Sequence, residues 1–287
     1  MNAVRVLGLK GAVSELYSRL TSRKLPMFGA LEPLISGKRG LEIGGPSKIF
    51  EAENLIPIYP LPVLLDGCNY AENTAWGRSS ASYIYPHGKD EGRQYINEAT
   101  DLRDMPDDAF DFLLASHVIE HVANPIKALK EWRRVLKQEG VLVIVVPHKE
   151  GTFDHRRPVT KFNHIVSDYD QNTRELDITH FNEIQSLHDL RRDPRAGTPE
   201  QFRRRSEANA SNRTLHHHVF DTDLAVRLVD HCRMEILTVD VSLPYHIAIL
   251  ARKTAGELPP DNSTFFGAEA PFRRKSPFRS DRSTETL

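Results

Sequence analysis

Hydrophobic spacing along the chain changes period several times, and each change marks an element. Val13, Leu16, Tyr17 and Leu20 recur at helical spacing before Pro26 and Pro33, so residues 1–36 are predicted as an N-terminal helical segment, a packing helix or a lid. Gly40-Leu41-Glu42-Ile43 leads into the turn Gly44-Gly45-Pro46-Ser47. A short helical stretch follows, then Val63-Leu64-Leu65-Asp66, a buried strand ending on a carboxylate. Phe112-Leu113-Leu114-Ala115 reads as a strand buried on both faces. Asn124 and Pro125 open a helix, a capping side chain followed by the residue best tolerated in the first turn. Ile126, Leu129, Trp132 or Arg133, and Leu136 keep its period, and Gly140 is predicted to end it. Val141 to Val146 is an uninterrupted apolar run, as inside a parallel sheet.

Strand, helix, strand with short connections is a right-handed crossover, which makes the fold α/β. We expect a Rossmann-like, mostly parallel sheet with flanking helices. Met234–Asp240 and His246–Ala251, joined at Leu243-Pro244, read as an antiparallel C-terminal hairpin at its edge, preceded by a helix over Phe220–Cys232 that Asp221 opens. Residues 37–253 form the main domain. The polar, weakly periodic stretch of about 149–213 reads as a helical insertion into it, and 254–287, rich in Pro, Ser, Thr and Arg, as a disordered tail.

Composition changes this picture little. Of the 287 residues 39% are apolar, 27% charged and 8% aromatic, and a net charge of −1 removes the electrostatic case for a general nucleic-acid binder. Two cysteines, Cys68 and Cys232, make no disulfide framework. No run of ~18 apolar residues predicts a membrane span, and no leader pattern opens the chain, so a cytoplasmic protein is expected.

Chemistry concentrates at strand ends. A glycine turn after a strand lets backbone approach a ligand that a Cβ would block, although Gly44-Gly45-Pro46-Ser47 lacks the G-x-G-x-x-G spacing. That absence disfavours a nicotinamide dehydrogenase. Glu42 lies two residues before the turn, and Asp66 lies 22 residues beyond Gly44, near the ~20 expected of an acid that grips ribose hydroxyls. Glu98-Ala99 and Ser116-His117 follow the next two strands. Four strand ends carrying Glu42, Asp66, Glu98 and His117, with no lysine or arginine among them, suit a polyhydroxylated, amine-bearing ligand better than a phosphate.

Glu98-Ala99-Thr100-Asp101-Leu102, Phe110-Asp111, Ser116-His117-Val118-Ile119-Glu120-His121-Val122, Pro125, and Glu131-Trp132 with Val135-Leu136-Lys137 and Gly140 together resemble the class I S-adenosylmethionine-dependent methyltransferases, nearest the small-molecule, ubiquinone-biosynthesis-like type. The resemblance is strong over about 38–150 and weaker over 214–253. It implies a methyltransferase that uses S-adenosylmethionine. Glu42, Gly44 and Gly45 would meet the methionine portion, Asp66 the ribose, Glu98 and Ala99 the adenine, and Ser116 and His117 the methyl-transfer end. The missing third glycine and the longer Glu98 depart from the family pattern and keep open a non-catalytic binding or scaffold protein with the same fold.

Methyl transfer from a sulfonium is an in-line displacement that needs alignment, exclusion of water and, for a hydroxyl acceptor, a base. His121, Asp154 and His155 are the candidate bases, and a small-molecule or glycan-type acceptor methylated at oxygen is expected. No metal site is expected. His117-x-x-Glu120-His121 matches an inverted zinc-protease motif, but only about one turn separates the strand before it from the helix at Asn124-Pro125. His216-His217-His218 are adjacent, so their side chains diverge; one of them can face the site.

Overall fold

The computed structural model describes residues 24–282 except 79, 87, 89 and 257. The periodic positions at Val13, Leu16, Tyr17 and Leu20 lie outside the described residues. Helix α1 (Met27–Ile35) follows Pro26 directly and contains Pro33, so neither proline breaks it. Next come β1 (Arg39–Ile43), β2 (Leu64–Asn69), a separate small hairpin of β3 (Asn73–Thr74) and β4 (Gly77–Arg78), then β5 (Ser82–Tyr83), β6 (Gly92–Ile96) and β7 (Phe110–Ser116). Then come α2 (Pro125–Val135), β8 (Leu136–Pro147), four insertion helices, α3 (Phe162–Asp170), α4 (Phe181–Leu187), α5 (Pro199–Glu207) and α6 (Asn209–Asn212), and α7 (Thr222–His231). Strands β9 (Met234–Ser242) and β10 (His246–Lys253) and short helices α8 (Pro271–Lys275) and α9 (Arg279–Arg282) complete the chain.

The eight strands of the main sheet are ordered β5-β6-β2-β1-β7-β8-β10-β9. The central five pair in parallel, whereas β5, β10 and β9 pair antiparallel with their neighbours. Chain order reverses between β1 and β7, the switch point at which ligands bind in open α/β sheets. Alternation along the strands splits the core in two. Leu41, Leu113, Ala115, Leu142 and Ile144 face α2 and α7, while Leu65, Phe112, Leu114, Val143 and Val145 face α1 and Ile49–Tyr59.

Local chemistry sets the elements that matter. The Asn124 side chain accepts from Lys127 N at 3.0 Å and caps α2, and α2 buries Ile126, Leu129, Trp132 and Val135. Trp132 Nε1 donates to Ala99 O at 3.0 Å, which fixes the loop after β6. α2 ends at Val135, earlier than expected, because the chain enters β8 at once. Gly140 lies inside that strand, where a Cβ would sit 2.8 Å from Lys137 O.

The C-terminal segment overturns the expectation of a disordered tail. Asn262 Oδ1 accepts from Ile236 N at 2.8 Å, Phe278 stacks on His148 with 3.9 Å between centroids, and Arg273 pairs with Asp223. Few apolar anchors carry this docking, so composition hides it. Among the described residues no helix is long and apolar enough to cross a membrane.

Candidate active site

A cleft of about 890 Å³ opens at the C-terminal ends of β1, β2, β6 and β7, beside the switch point. Its floor is the turn after β1. Gly44 has φ +76°, and a Cβ there would strike Val118; a Cβ on Gly45 would strike Tyr83 Oη and the Glu42 carboxyl. Glycine is thus required twice, once for conformation and once for close packing. Gly45-Pro46 is a cis peptide.

Glu42 lies beneath this turn, fully buried, and is absent from the cleft wall. Burial pushes its carboxyl up to about 7, although hydrogen bonds from Tyr83, Ser47 and Tyr59 pull the other way. Tyr83 donates to it at 2.7 Å and Tyr59 at 3.0 Å. Its direct role here is to anchor the glycine turn.

Asp66 is placed away from the cleft. β2 continues through Gly67 and Cys68 to Asn69, and Asp66 pairs with Leu41 in mid-strand. Its carboxylate accepts from Arg39 Nη2 at 2.7 Å and from Arg93 N at 2.8 Å. The spacing of 22 residues is therefore a coincidence of loop length. Asn69, at the true strand end, lines the cleft and reaches Gly45 O at 3.4 Å.

Gly44, Gly45, Glu98, Ala99, Ser116, His117 and His121 all line the cleft. Although no lysine or arginine lies among the four strand ends, Arg213 from the end of α6 also lines the cleft and pairs with Glu98 at 2.6 Å. Its Nε and Nη1 are buried with no hydrogen-bond partner. Buried donors left unsatisfied are costly and point to a polar ligand. Arg213 lies 115 residues from Glu98, and no periodicity in the sequence flags it. Trp76, on the β3–β4 hairpin, is exposed at the cleft and meets His121 edge-on, with 5.1 Å between centroids.

His117 has φ +55° and hydrogen-bonds His246 at 3.0 Å. Glu120 Oε1 lies 3.5 Å from His117 Nδ1 and 3.9 Å from His121 Nε2. Burial pushes the Glu120 carboxyl up, but the hydrogen bond from His117 and the nearby His121, His117 and His216 more than offset it, leaving it lowered and ionised. His121 Nδ1 donates to Leu215 O at 3.0 Å, which leaves Nε2 as the acceptor. Burial, then the neighbouring His216, pushes this imidazole down to about 3, so it stands neutral.

Asp154 and His155 are absent from the cleft wall. Asp154 is buried and acts through another ring, His216, whose Nδ1 it meets at 2.5 Å. Burial pushes the Asp154 carboxyl up, yet His216 and Arg157 more than offset this and hold it well below the carboxylate range. His216 packs on His121 with 4.6 Å between centroids. His155 pairs with Asp189 at 3.1 Å, outside the cleft. Glu120, His121 and His216 bring one ligand atom each within 4.8 Å of the others, a set able to hold a divalent ion. The tight turn over Ile119–His121, together with a histidine 95 residues away, makes this set; the local motif alone does not.

Residues 80–144 match the family described as methyltransferase domain. A stretch of 45 residues is 50% identical to an uncharacterised protein of Methanocaldococcus jannaschii, covering 16% of this chain and one fifth (20%) of that relative's length. Among solved structures, the chain is similar to a SAM-dependent methyltransferase from Aquifex aeolicus (15% identity, 83% of this chain and 93% of that one, TM-score 0.43). It is also similar to an S-adenosylmethionine-dependent methyltransferase from Mesorhizobium loti (15% identity, 79% and 96%, TM-score 0.46).

Proposed function

We propose that this chain, a class I S-adenosylmethionine-dependent methyltransferase by the domain it carries, methylates an oxygen of a small-molecule or glycan-type acceptor in the cleft beside β1 and β7. S-adenosylmethionine supplies a methyl group already activated on sulfur. The protein's part is to align the acceptor, exclude water and take up the proton the acceptor oxygen loses.

The residues present fit such a cofactor. Gly44 and Gly45 line the cleft, Asn69 at the end of β2 would grip ribose hydroxyls, and Arg213 offers two unsatisfied donors. Glu98, held by Arg213, and Ala99, held by Trp132, would meet the adenine. Ser116 and His117, which also line the cleft, would border the methyl-transfer end. Glu42 supports the turn from below and contributes through it.

Transfer to oxygen rests chiefly on one observation. His121 faces the cleft with one nitrogen committed to Leu215 O and the other open, next to the ionised Glu120. A hydroxyl oxygen becomes strongly acidic as its new bond to carbon forms, so even a weak, neutral imidazole can receive its proton. Glu120 stabilises the resulting charge, and Asp154 positions the pair through His216. Trp76 offers an aromatic face to a sugar-like or ring-bearing acceptor.

The test is calorimetric titration of S-adenosylmethionine and its demethylated product into wild type, Asn69→Ala and Asp66→Asn, followed by an acceptor screen read by product release. Asn69→Ala is expected to weaken binding about tenfold, the value of one hydrogen bond, while Asp66→Asn leaves affinity unchanged. No binding by folded wild-type protein would overturn the enzyme in favour of a scaffold, and unchanged binding by Asn69→Ala would overturn the ribose assignment.

A further inference from the structure

A second histidine cluster lies off the cleft wall, where the insertion meets the loop before α7. We propose that His164, His180 and His218, with Asp168 beside them, form a site for a zinc-class divalent transition-metal ion that ties the insertion to the loop carrying His216.

The three histidines come from α3, the residue before α4 and the segment before α7, yet one ring nitrogen of each lies within 4.8 Å of the others. His164 Nε2 is 2.9 Å from His180 Nε2, and Asp168 Oδ2 is 3.4 Å from His164 Nε2. Ligand atoms around a tetrahedral zinc lie ~3.3 Å apart, from bonds of about 2.0–2.1 Å. The two contacts bracket that spacing. The three rings meet at 83°, 60° and 72°, edge to face or tilted, with their centroids 4.8–6.0 Å apart.

A purely hydrogen-bonded cluster leaves two polar atoms unsatisfied. His218 Nδ1 and Asp168 Oδ2 are both buried with no hydrogen-bond partner among the described residues. Asp168 Oδ2 lies 3.4 Å from His164 Nε2 and 3.7 Å from His218 Nε2, so a cation seated among these rings satisfies that oxygen. His218 Nε2 also meets Ala123 O at 3.2 Å, which holds the ring against the start of α2. Three imidazoles select zinc and its neighbours over magnesium or calcium, which prefer oxygen. The His164 side chain is 38% exposed, which provides an entry path.

This site is separate from the set of Glu120, His121 and His216, of which His121 lines the cleft. His218 follows His216 by two residues, and Asn124 Nδ2 donates to Asp168 O at 3.0 Å. An ion here therefore braces both the acceptor-side histidine and the start of α2. The inference stands whatever the cleft methylates.

The experiment uses the full chain stripped with chelator. Zinc sulfate is titrated against a chromogenic chelator, and cobalt is then added to read its visible tetrahedral absorption. One equivalent should bind at submicromolar concentration, with a rise in Tm. Each of His164→Gln and His180→Gln, checked by circular dichroism, should weaken it by about 100-fold or more and abolish both the cobalt band and the Tm shift. Glu120→Gln should leave zinc binding intact. The proposal is overturned if wild type binds only above micromolar zinc, if both histidine variants bind as wild type does, or if Glu120→Gln alone removes the ion.

Discussion

Glu42 and His121 depart from ordinary histidine and carboxylate behaviour for the same reason, burial, and with opposite consequences. Glu42 has a folded pKa raised to about 7 from 4.5, so its contribution to stability is fully present below about pH 4.5 and is lost as pH rises to 7. The loss is about 3 kcal/mol at most, since each unit is ~1.4 kcal/mol. Glu42→Gln removes that penalty. The difference in Tm between variant and wild type should grow in the variant's favour from pH 5 to pH 7.5; parallel curves would refute the buried-acid account. His121, held neutral down to about 3, predicts an activity profile without a protonation limb near pH 6.5 from this ring, and His121→Gln should cost about 100-fold in kcat. A limb near 6.5 that vanishes in the variant would contradict it. His121, a candidate base from the sequence, does line the cleft. The sequence misled at Asp66, where a strand two turns of the pleat longer than its apolar run moved the carboxylate into the wall of the sheet.

At the scale of elements, the insertion is more than a cover. Its core of Ile184, Ala196, Phe202 and Leu215 is small, and buried ion pairs carry the rest of its order. Arg157 meets Asp154 at 3.0 Å and Glu183 at 2.8 Å, with its side chain only 1% exposed. Removing one partner strands a buried charge, which costs about 3–5 kcal/mol. Asp154→Asn should therefore lower stability by about that amount and loosen His216, whereas Asp66→Asn, whose Arg39 partner is 45% exposed, should cost much less. Urea unfolding of the two variants side by side measures this, and equal losses would refute it. The segment's weak periodicity and balanced charge suggest helices with little core. Asp154 and Arg157 are three residues apart, but their partners His216 and Glu183 lie 62 and 26 positions away and leave no local pattern. The capping of α2 and the apolar run of β8 were legible because both are local, set by neighbours along the chain.

Across the whole molecule, the mostly parallel sheet and the antiparallel hairpin at its edge follow from a few periodic segments and from the handedness of crossovers, whereas the C-terminal segment does not follow from composition at all. Its Pro, Ser, Thr and Arg residues would suit an extended solvated chain. Phe272 and Phe278 decide otherwise, at 2% and 3% exposure. Burying each is worth about 1.5–3 kcal/mol relative to solvent. Asp281, which accepts from Thr222 at 2.8 Å and from Ser276 at 2.5 Å, fastens the last turn to α7. A domain of this kind has a net stability of only about 5–15 kcal/mol, so these anchors are a sizeable fraction of it. Phe272→Ala should lower unfolding stability by about 3–5 kcal/mol, and ending the chain at residue 254 should lower it further and expose the outer face of α7. Differential scanning calorimetry of both against wild type tests this. A truncated protein that melts with the wild-type Tm and enthalpy would return the segment to a solvated tail. A large loss would make it the strap that closes the sheet's antiparallel edge.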